Sequence, residues 1–445
     1  MRRISSFVSF MLKEGHSTYR LKLLRSLHLY WPSIPRPPVS LEATGMALAR
    51  LFRSLAEDGD LHNLSIHGAE QIVLYPDVPA AITQLTTLEW LNVADARRRT
   101  INMLSGLRCP FKVAIISLGS PRNEADGWIL SILDKHLLWS LQPFTATLSY
   151  LTIATRRFSA PDDPVFPNVT YLNLSTADIR WVRHYVRAFP NLLILSARDC
   201  DIPEGRAEYG LRRAGNLSEQ ETSGTWQSLT SYCGSILTLY LLAIPKHIPK
   251  VVFNEVEDGL QSGMLRTVLG GARPRQLQLT LDGAFWLLDP DFLSTFTHYG
   301  VDALRHFKLV VKVDALDDVT YIPEALESAI DHVIKPLQVT LVAVTIEVDL
   351  SWYCVPRKFE PPLPESDPIE EVLEGWDVDA YAHRIQDKIG AVSPALRSVT
   401  VGLWHHRTRG NCQVTLGLTY ESFDDSDEEY CSSGSESDGE DLMEV

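Results

Sequence analysis

Phe-Pro-Asn occurs at Phe166–Asn168 and again at Phe189–Asn191, 23 residues later, and each time a ladder of apolar residues follows. After the first come Val169, Leu172, Leu174, Ala177 and Ile179; after the second come Leu192, Leu195, Ala197, Cys200 and Ile202. One strand-sized ladder repeated at this period cannot bury its apolar face alone. Its copies must stack on one another to share a core.

With small substitutions, both copies read as L-x-x-L-x-L-x-x-N/C-x-L, with a period inside the 20–29 residues of a leucine-rich repeat. The same template fits Leu24/Leu27/Leu29, Leu61/Leu64/Ile66, Leu88/Leu91/Val93 and Leu148/Leu151/Ile153. Weaker matches start at Phe111, Ile236, Pro274, Leu304, Leu341 and Leu396. In a strand, the residue between the second and third apolar positions must point away from the core. Along the chain it is His28, Ser65, Asn92, Ile115, Thr152, Asn173, Ser196, Tyr240, Gln278, Lys308, Thr345 and Thr400. Only Ile115 is apolar, so alternating strands are predicted at all these places.

Between the strands, "DIRWVRHYVRAF" sets Ile179, Val182, Val186 and Phe189 on one helical face, with Trp181 as a packing residue. Pro323 followed by "EALESAIDHVI" and the stretch "WDVDAYAHRIQDKIGAV" also read as helices. Strands alternating with helices imply parallel pairing. The fold class is therefore α/β: a leucine-rich-repeat solenoid, or horseshoe, with a parallel concave sheet and helices on the convex side. Intervals between matches run from 21 to 55 residues, so the repeats are irregular. The predicted organisation is a lead-in segment 1–19, a solenoid over 20–420, and a disordered acidic tail over 421–445. Inserted loops are predicted near 203–227 and 355–376, and a final hairpin around Arg409-Gly410-Asn411 caps the sheet edge.

The six cysteines show no paired CxxC spacing, which suits neither a zinc site nor a disulfide framework and fits a reducing compartment. Serines interrupt the N-terminal apolar run, and no stretch approaches the ~18 apolar residues of a membrane span. A cytoplasmic or nuclear location is expected, and the sequons at Asn63, Asn168, Asn173 and Asn216 are then chance. The net charge is −15, and residues 424–445 carry ten acidic residues without Lys or Arg. That balance argues against nucleic-acid binding, which needs a basic footprint. Within this tail Ser426, Ser435 and Ser437 each precede an acid by three residues, a spacing that resembles the acidophilic casein-kinase consensus.

No phosphate loop, nucleophile elbow or zinc helix is present, so no catalytic residue, metal site or cofactor is assigned. His405, His406 and Cys412 lack a fourth ligand and read as an exposed loop group. The chemistry on offer is a binding face. His28, Ser65, Asn92, Thr152, Asn173 and Ser196 form its polar row, and Tyr150, Tyr171 and Arg198 flank it. Trp90 shares the outward parity of Asn92 and is a candidate aromatic anchor. Alanine at Tyr171 or Arg198 is expected to weaken binding without lowering stability. Twelve strands at ~4.8 Å would make an arc of roughly 58 Å.

Through "FPNVTYLNLSTADI", "FPNLLILSARDCDI" and "LTTLEWLNV" the chain resembles the repeat region of fungal F-box/leucine-rich-repeat proteins. The resemblance implies a protein partner held by the repeats, and an F-box that recruits Skp-cullin ubiquitin-ligase components. No F-box is recognisable in the 23 residues before Leu24, so the box is either lost or upstream of Met1. Expected first is the substrate-recognition part of an SCF-type ligase subunit. The alternatives are a scaffold or regulatory protein with no ubiquitin link and, last, an α/β enzyme. No nucleic-acid or membrane partner is expected.

Overall fold

The computed structural model describes residues 2–13, 17–31, 39–119, 137–154, 162–198, 200, 206–256, 261–297, 299–313, 317–337, 340–351, 368–390, 393 and 395–417. The protein is α/β with fourteen strands, nearly all parallel, among these residues. Two compact units divide the chain, where the spacing predicts one solenoid. Unit 1 comprises Met1–Leu229 and Leu241–Ala243, and unit 2 comprises Thr230–Tyr240 and the chain from Ile244 onward.

Unit 1 holds β1 (Ser26–Tyr30), β2 (Asn63–His67), β3 (Trp90–Ala96), β4 (Val113–Leu118), β5 (Tyr150–Ala154), β6 (Tyr171–Ser175) and β7 (Ile194–Arg198). They pair in parallel and in sequence order. Unit 2 holds β8 (Ser231–Gly234), β9 (Lys250–Val256), β10 (Gln276–Asp282), β11 (His306–Lys312), β12 (Ala343–Asp349), β13 (Ser398–Trp404) and β14 (Cys412–Gly417). These are also in order and parallel, except that β14 turns back antiparallel on β13. The terminal hairpin therefore stands as the spacing places it. Two helices, α1 (Arg2–Met11) and α2 (Ser17–Leu23), precede β1, and both pack on α3 (Val39–Asp58).

The same backbone step opens most of the repeats. The carbonyl just before a strand accepts two successive amides of the next repeat. The Lys112 oxygen takes the amides of Ser149 and Tyr150, Ser149 takes Thr170 and Tyr171, and Thr170 takes Leu193 and Ile194. In unit 2 the Arg275 oxygen takes Arg305 and His306, and Arg305 takes Val342 and Ala343. This step brings the apolar triplets level. Leu148/Leu151/Ile153, Val169/Leu172/Leu174 and Leu192/Leu195/Ala197 are all buried.

The repeated Phe-Pro-Asn now has a physical account. Phe166 and Phe189 stack with centroids 5.7 Å apart. The asparagines tie neighbouring turns together, Asn168 Nδ2 donating to the Ala146 carbonyl at 2.7 Å and Asn191 Nδ2 to the Pro167 carbonyl at 2.9 Å. The motif recurs because the same apolar spine and turn-to-turn bond are needed in consecutive repeats.

Several expectations are corrected. The segment 203–227 is no loop: Arg206–Ser223 is a helix. Its Asn216 and Gln220 are buried and donate to the carbonyls of Ile179, Leu241 and Leu242. Those buried carbonyls need donors, so the polar face of this helix turns inward and looks loop-like in sequence. Tyr240 lies on the helix Ile236–Leu242 rather than on a strand, and the repeats there use β8 and β9. "ILTLYLL" fits both a ladder and a helix, and periodicity alone cannot separate them. Trp181, read as packing, is 50% exposed just before the helix Val182–Ala188. Most of the insert 355–376 and all of the tail 421–445 lie outside the described residues, but its end forms the helix Pro368–Glu374.

The β13–β14 turn clamps that last helix. Arg407 Nε donates to both oxygens of Glu370, at 2.9 and 2.8 Å. His406 lies 3.0 Å, through Nε2, from the Glu370 carbonyl, and Arg409 donates to the Leu373 and Trp376 carbonyls. His406 is thus buried rather than an exposed loop histidine. The Arg407 hydrogen bonds hold the Glu370 carboxyl below the usual carboxylate range, against the opposing effect of burial. A depressed folded pKa gives stability that is complete above the unfolded value and lost as pH falls through the folded one. Glu370→Gln should therefore cost about 2 kcal/mol at pH 7. Chemical denaturation should show that deficit shrinking as the pH drops below about 4.

Candidate protein-binding face

In unit 1 the side chains alternate across the sheet, one set buried beneath the helices and the other turned away from them. The register aligns the outward set in rows that cross the strands. One row runs Ser26, Asn63, Trp90, Val113, Tyr150, Tyr171, Ile194. The next runs His28, Ser65, Asn92, Ile115, Thr152, Asn173, Ser196. Neither row contains Asp, Glu, Lys or Arg. A third begins Ser117, Ala154, Ser175 and ends at Arg198. All ten candidate contacts therefore fall on one face of one unit.

They are not equally accessible. Trp90, Asn92, Tyr150, Thr152, Asn173 and Arg198 are half-buried, and His28 is exposed. Ser65 and Ser196 are buried, and neither hydroxyl has a hydrogen-bond partner among the described residues. A partner reaches those two only by displacing their neighbours. Tyr171 is 9% exposed and stacks on Tyr150, with centroids 4.2 Å apart and planes 8° from parallel. Its alanine variant must therefore lose packing, contrary to the expectation of unchanged stability. At the β1 edge Tyr30 stacks on His67 at 4.2 Å, and the His28 ring lies 6.4 Å from Trp90.

Aromatic edges, amides and hydroxyls in fixed rows give hydrogen bonds and apolar contact without net charge. Chemically, such a surface is suited to non-covalent contact rather than to bond-making. The corresponding face of unit 2 is different, and the template did not single it out. Lys308 Nζ lies 3.3 Å from Glu347 Oε2, and both are largely buried. Asp282, Lys312, Asp349 and Trp404 fall level at the strand ends, and His405 Nδ1 is 2.7 Å from Asp349 Oδ1. His306, on the same face, has its pKa pushed below the ordinary histidine value, first by burial and then by Arg305. In sequence each charge is merely one polar residue in an alternating strand. Only the register shows that opposite charges sit side by side.

Among the described residues no three His, Cys, Asp or Glu side chains come together as a metal site, and no helix is long and apolar enough to cross a membrane. His405 and His406 diverge, one to Asp349 and the other to Glu370. Ser426, Ser435 and Ser437 lie outside the described residues. A scan against protein-family models finds no match to this chain, and a search of curated proteins finds none either.

Tyr171→Ala should lower the unfolding free energy by about 3 kcal/mol. Asn173→Ala, next to it on the face, should change it by no more than about 0.5 kcal/mol. Urea denaturation of the two variants checks the contrast.

Proposed function

We propose that this chain is a non-catalytic protein–protein interaction module of the leucine-rich-repeat type, and that the uncharged face of unit 1 receives its partner. The observation that carries this reading is the pair of level, charge-free rows across β1–β7. Seven strands at about 4.8 Å spacing make each row roughly 29 Å long, enough for one interface patch. Trp90 and Tyr150 supply aromatic anchors of the kind that dominate binding energy, and Asn92 and Asn173 supply adaptable hydrogen bonds. The buried triplet of every repeat from β2 to β7 supports the repeat assignment and, with it, a solenoid whose concave side is this sheet.

Within this reading the protein is the substrate-recognition part of an SCF-type ubiquitin ligase subunit, acting in the cytoplasm or nucleus. The resemblance of the Phe-Pro-Asn repeats to F-box/leucine-rich-repeat proteins supports that link. The competing assignment is a repeat scaffold without ubiquitin chemistry. Measured binding to a Skp adaptor separates them: micromolar or tighter affinity supports the ligase, and none supports the scaffold.

The face itself is tested by Asn92→Arg combined with Asn173→Arg, which places two unpaired charges in the neutral rows. The variant should keep its melting temperature and bind a partner captured by the wild-type protein at least tenfold more weakly. Unchanged affinity would place the site elsewhere.

A further inference from the structure

The first 25 residues run against the charge of the whole chain. They hold six cations, Arg2, Arg3, Lys13, Arg20, Lys22 and Arg25, against the single carboxylate of Glu14, in a protein of net charge −15. Neither α1 nor α2 contains an acid. On α1 Arg3, Ser6 and Phe10 face solvent at helical spacing, with Lys13 exposed just beyond its end, while Val8 and Met11 are buried. α2 turns Tyr19, Lys22 and Leu23 outward and buries Leu21. Phe10, Tyr19 and Leu23 are 57%, 69% and 62% exposed. Large apolar side chains left this exposed on two packed helices are a mark of an interaction surface.

The two helices are fixed relative to each other. The Arg20 guanidinium lies over the Phe10 ring, 4.3 Å from its centroid, and donates to the Phe10 carbonyl. Arg25 pairs with Asp60. Arg3, Lys13 and Lys22 make no ion pair among the described residues. They are cations without counter-charges, on the same two helices as the exposed side chains of Phe10, Tyr19 and Leu23.

We propose that this two-helix face docks the acidic segment 424–445 of a second copy of the chain. The segment has ten carboxylates and no Lys or Arg, and it intersperses them with Tyr430, Leu442, Met443 and Val445. The carboxylates match Arg3, Lys13 and Lys22, and the apolar residues match Phe10, Tyr19 and Leu23. Twenty-two residues span up to roughly 70 Å. The two acidic bodies therefore need not come within a Debye length, about 8 Å at physiological salt. Reciprocal exchange of the two segments closes the assembly as a symmetric dimer instead of a chain. Phosphorylation of Ser426, Ser435 or Ser437 would add ~1.5–2 negative charges each and strengthen the contact.

Sedimentation velocity on the intact protein tests this. At 50 mM salt and tens of micromolar protein a dimer is expected, with association at least tenfold weaker at 500 mM. A chain ending at Tyr420 should be monomeric, and so should Arg3→Glu/Lys13→Glu/Lys22→Glu. Mixed together, these two should form a one-to-one heterodimer, because one retains the face and the other the segment. As a readout independent of the triple variant, a labelled 424–445 peptide should bind the chain ending at Tyr420. The same peptide with its acids replaced by amides should not. A monomeric intact protein at 50 mM salt would overturn the proposal. So would association that survives in either variant alone, or a peptide that fails to bind. Capture of phosphatidylserine vesicles by the truncated chain, with no binding of the peptide, would likewise reassign the face to a lipid surface.

Discussion

The parallel repeats hang on a carbonyl that accepts two amides from the repeat after it. This step recurs from Arg25 to Thr170 in unit 1 and from Pro249 to Val342 in unit 2. It sets the parallel register, and the register decides which side chains meet. Side chains alternate with a period of two, so a slip of one residue would send Leu172 to solvent and Asn173 into the core. The apolar triplets, the Phe166–Phe189 stack and the level outward rows are consequences of that one geometry.

The units use the same backbone device and carry different chemistry on their outward faces. In unit 1 two rows are free of charge, and aromatic stacks such as Tyr150 on Tyr171 occupy them. In unit 2 Lys308 and Glu347 neutralise each other within the sheet, and His405 engages Asp349 at the strand ends. Charges already paired in place offer a partner little, because breaking the pair costs what a new contact returns. Neutral amides and half-buried rings carry no such penalty, and this is why the binding reading rests on unit 1.

Much of this was legible from alternation alone. The polar row from His28 to Ser196 lies level on one face, as the L-x-x-L-x-L spacing predicts. What alternation could not show were consequences of contact. Asn216 and Gln220 make their helix look like a polar insert, because the carbonyls they satisfy are distant in sequence. Ser65 and Ser196 look like surface residues until their neighbours are in place. Tyr240 lies on a helix although Ile236, Leu239 and Leu241 satisfy helical and ladder spacing equally well. His406 is buried by a carbonyl of the helix Pro368–Glu374, a contact between segments about 36 residues apart.

The register is the claim on which the rest stands, and a disulfide reports it directly. Neighbouring strands lie about 4.8 Å apart, within the ~4.4–6.8 Å Cα separation a disulfide tolerates. Thr152 and Asn173 are register partners on the outward face, whereas Leu174 points to the core. The measurement is the extent of cross-linking in Thr152→Cys/Asn173→Cys and in Thr152→Cys/Leu174→Cys under a mild oxidant. The first variant should oxidise to a single intramolecular disulfide and the second should remain reduced. Cross-linking in the second and not the first would mean the strand is shifted by one residue, and the proposed face would dissolve with it.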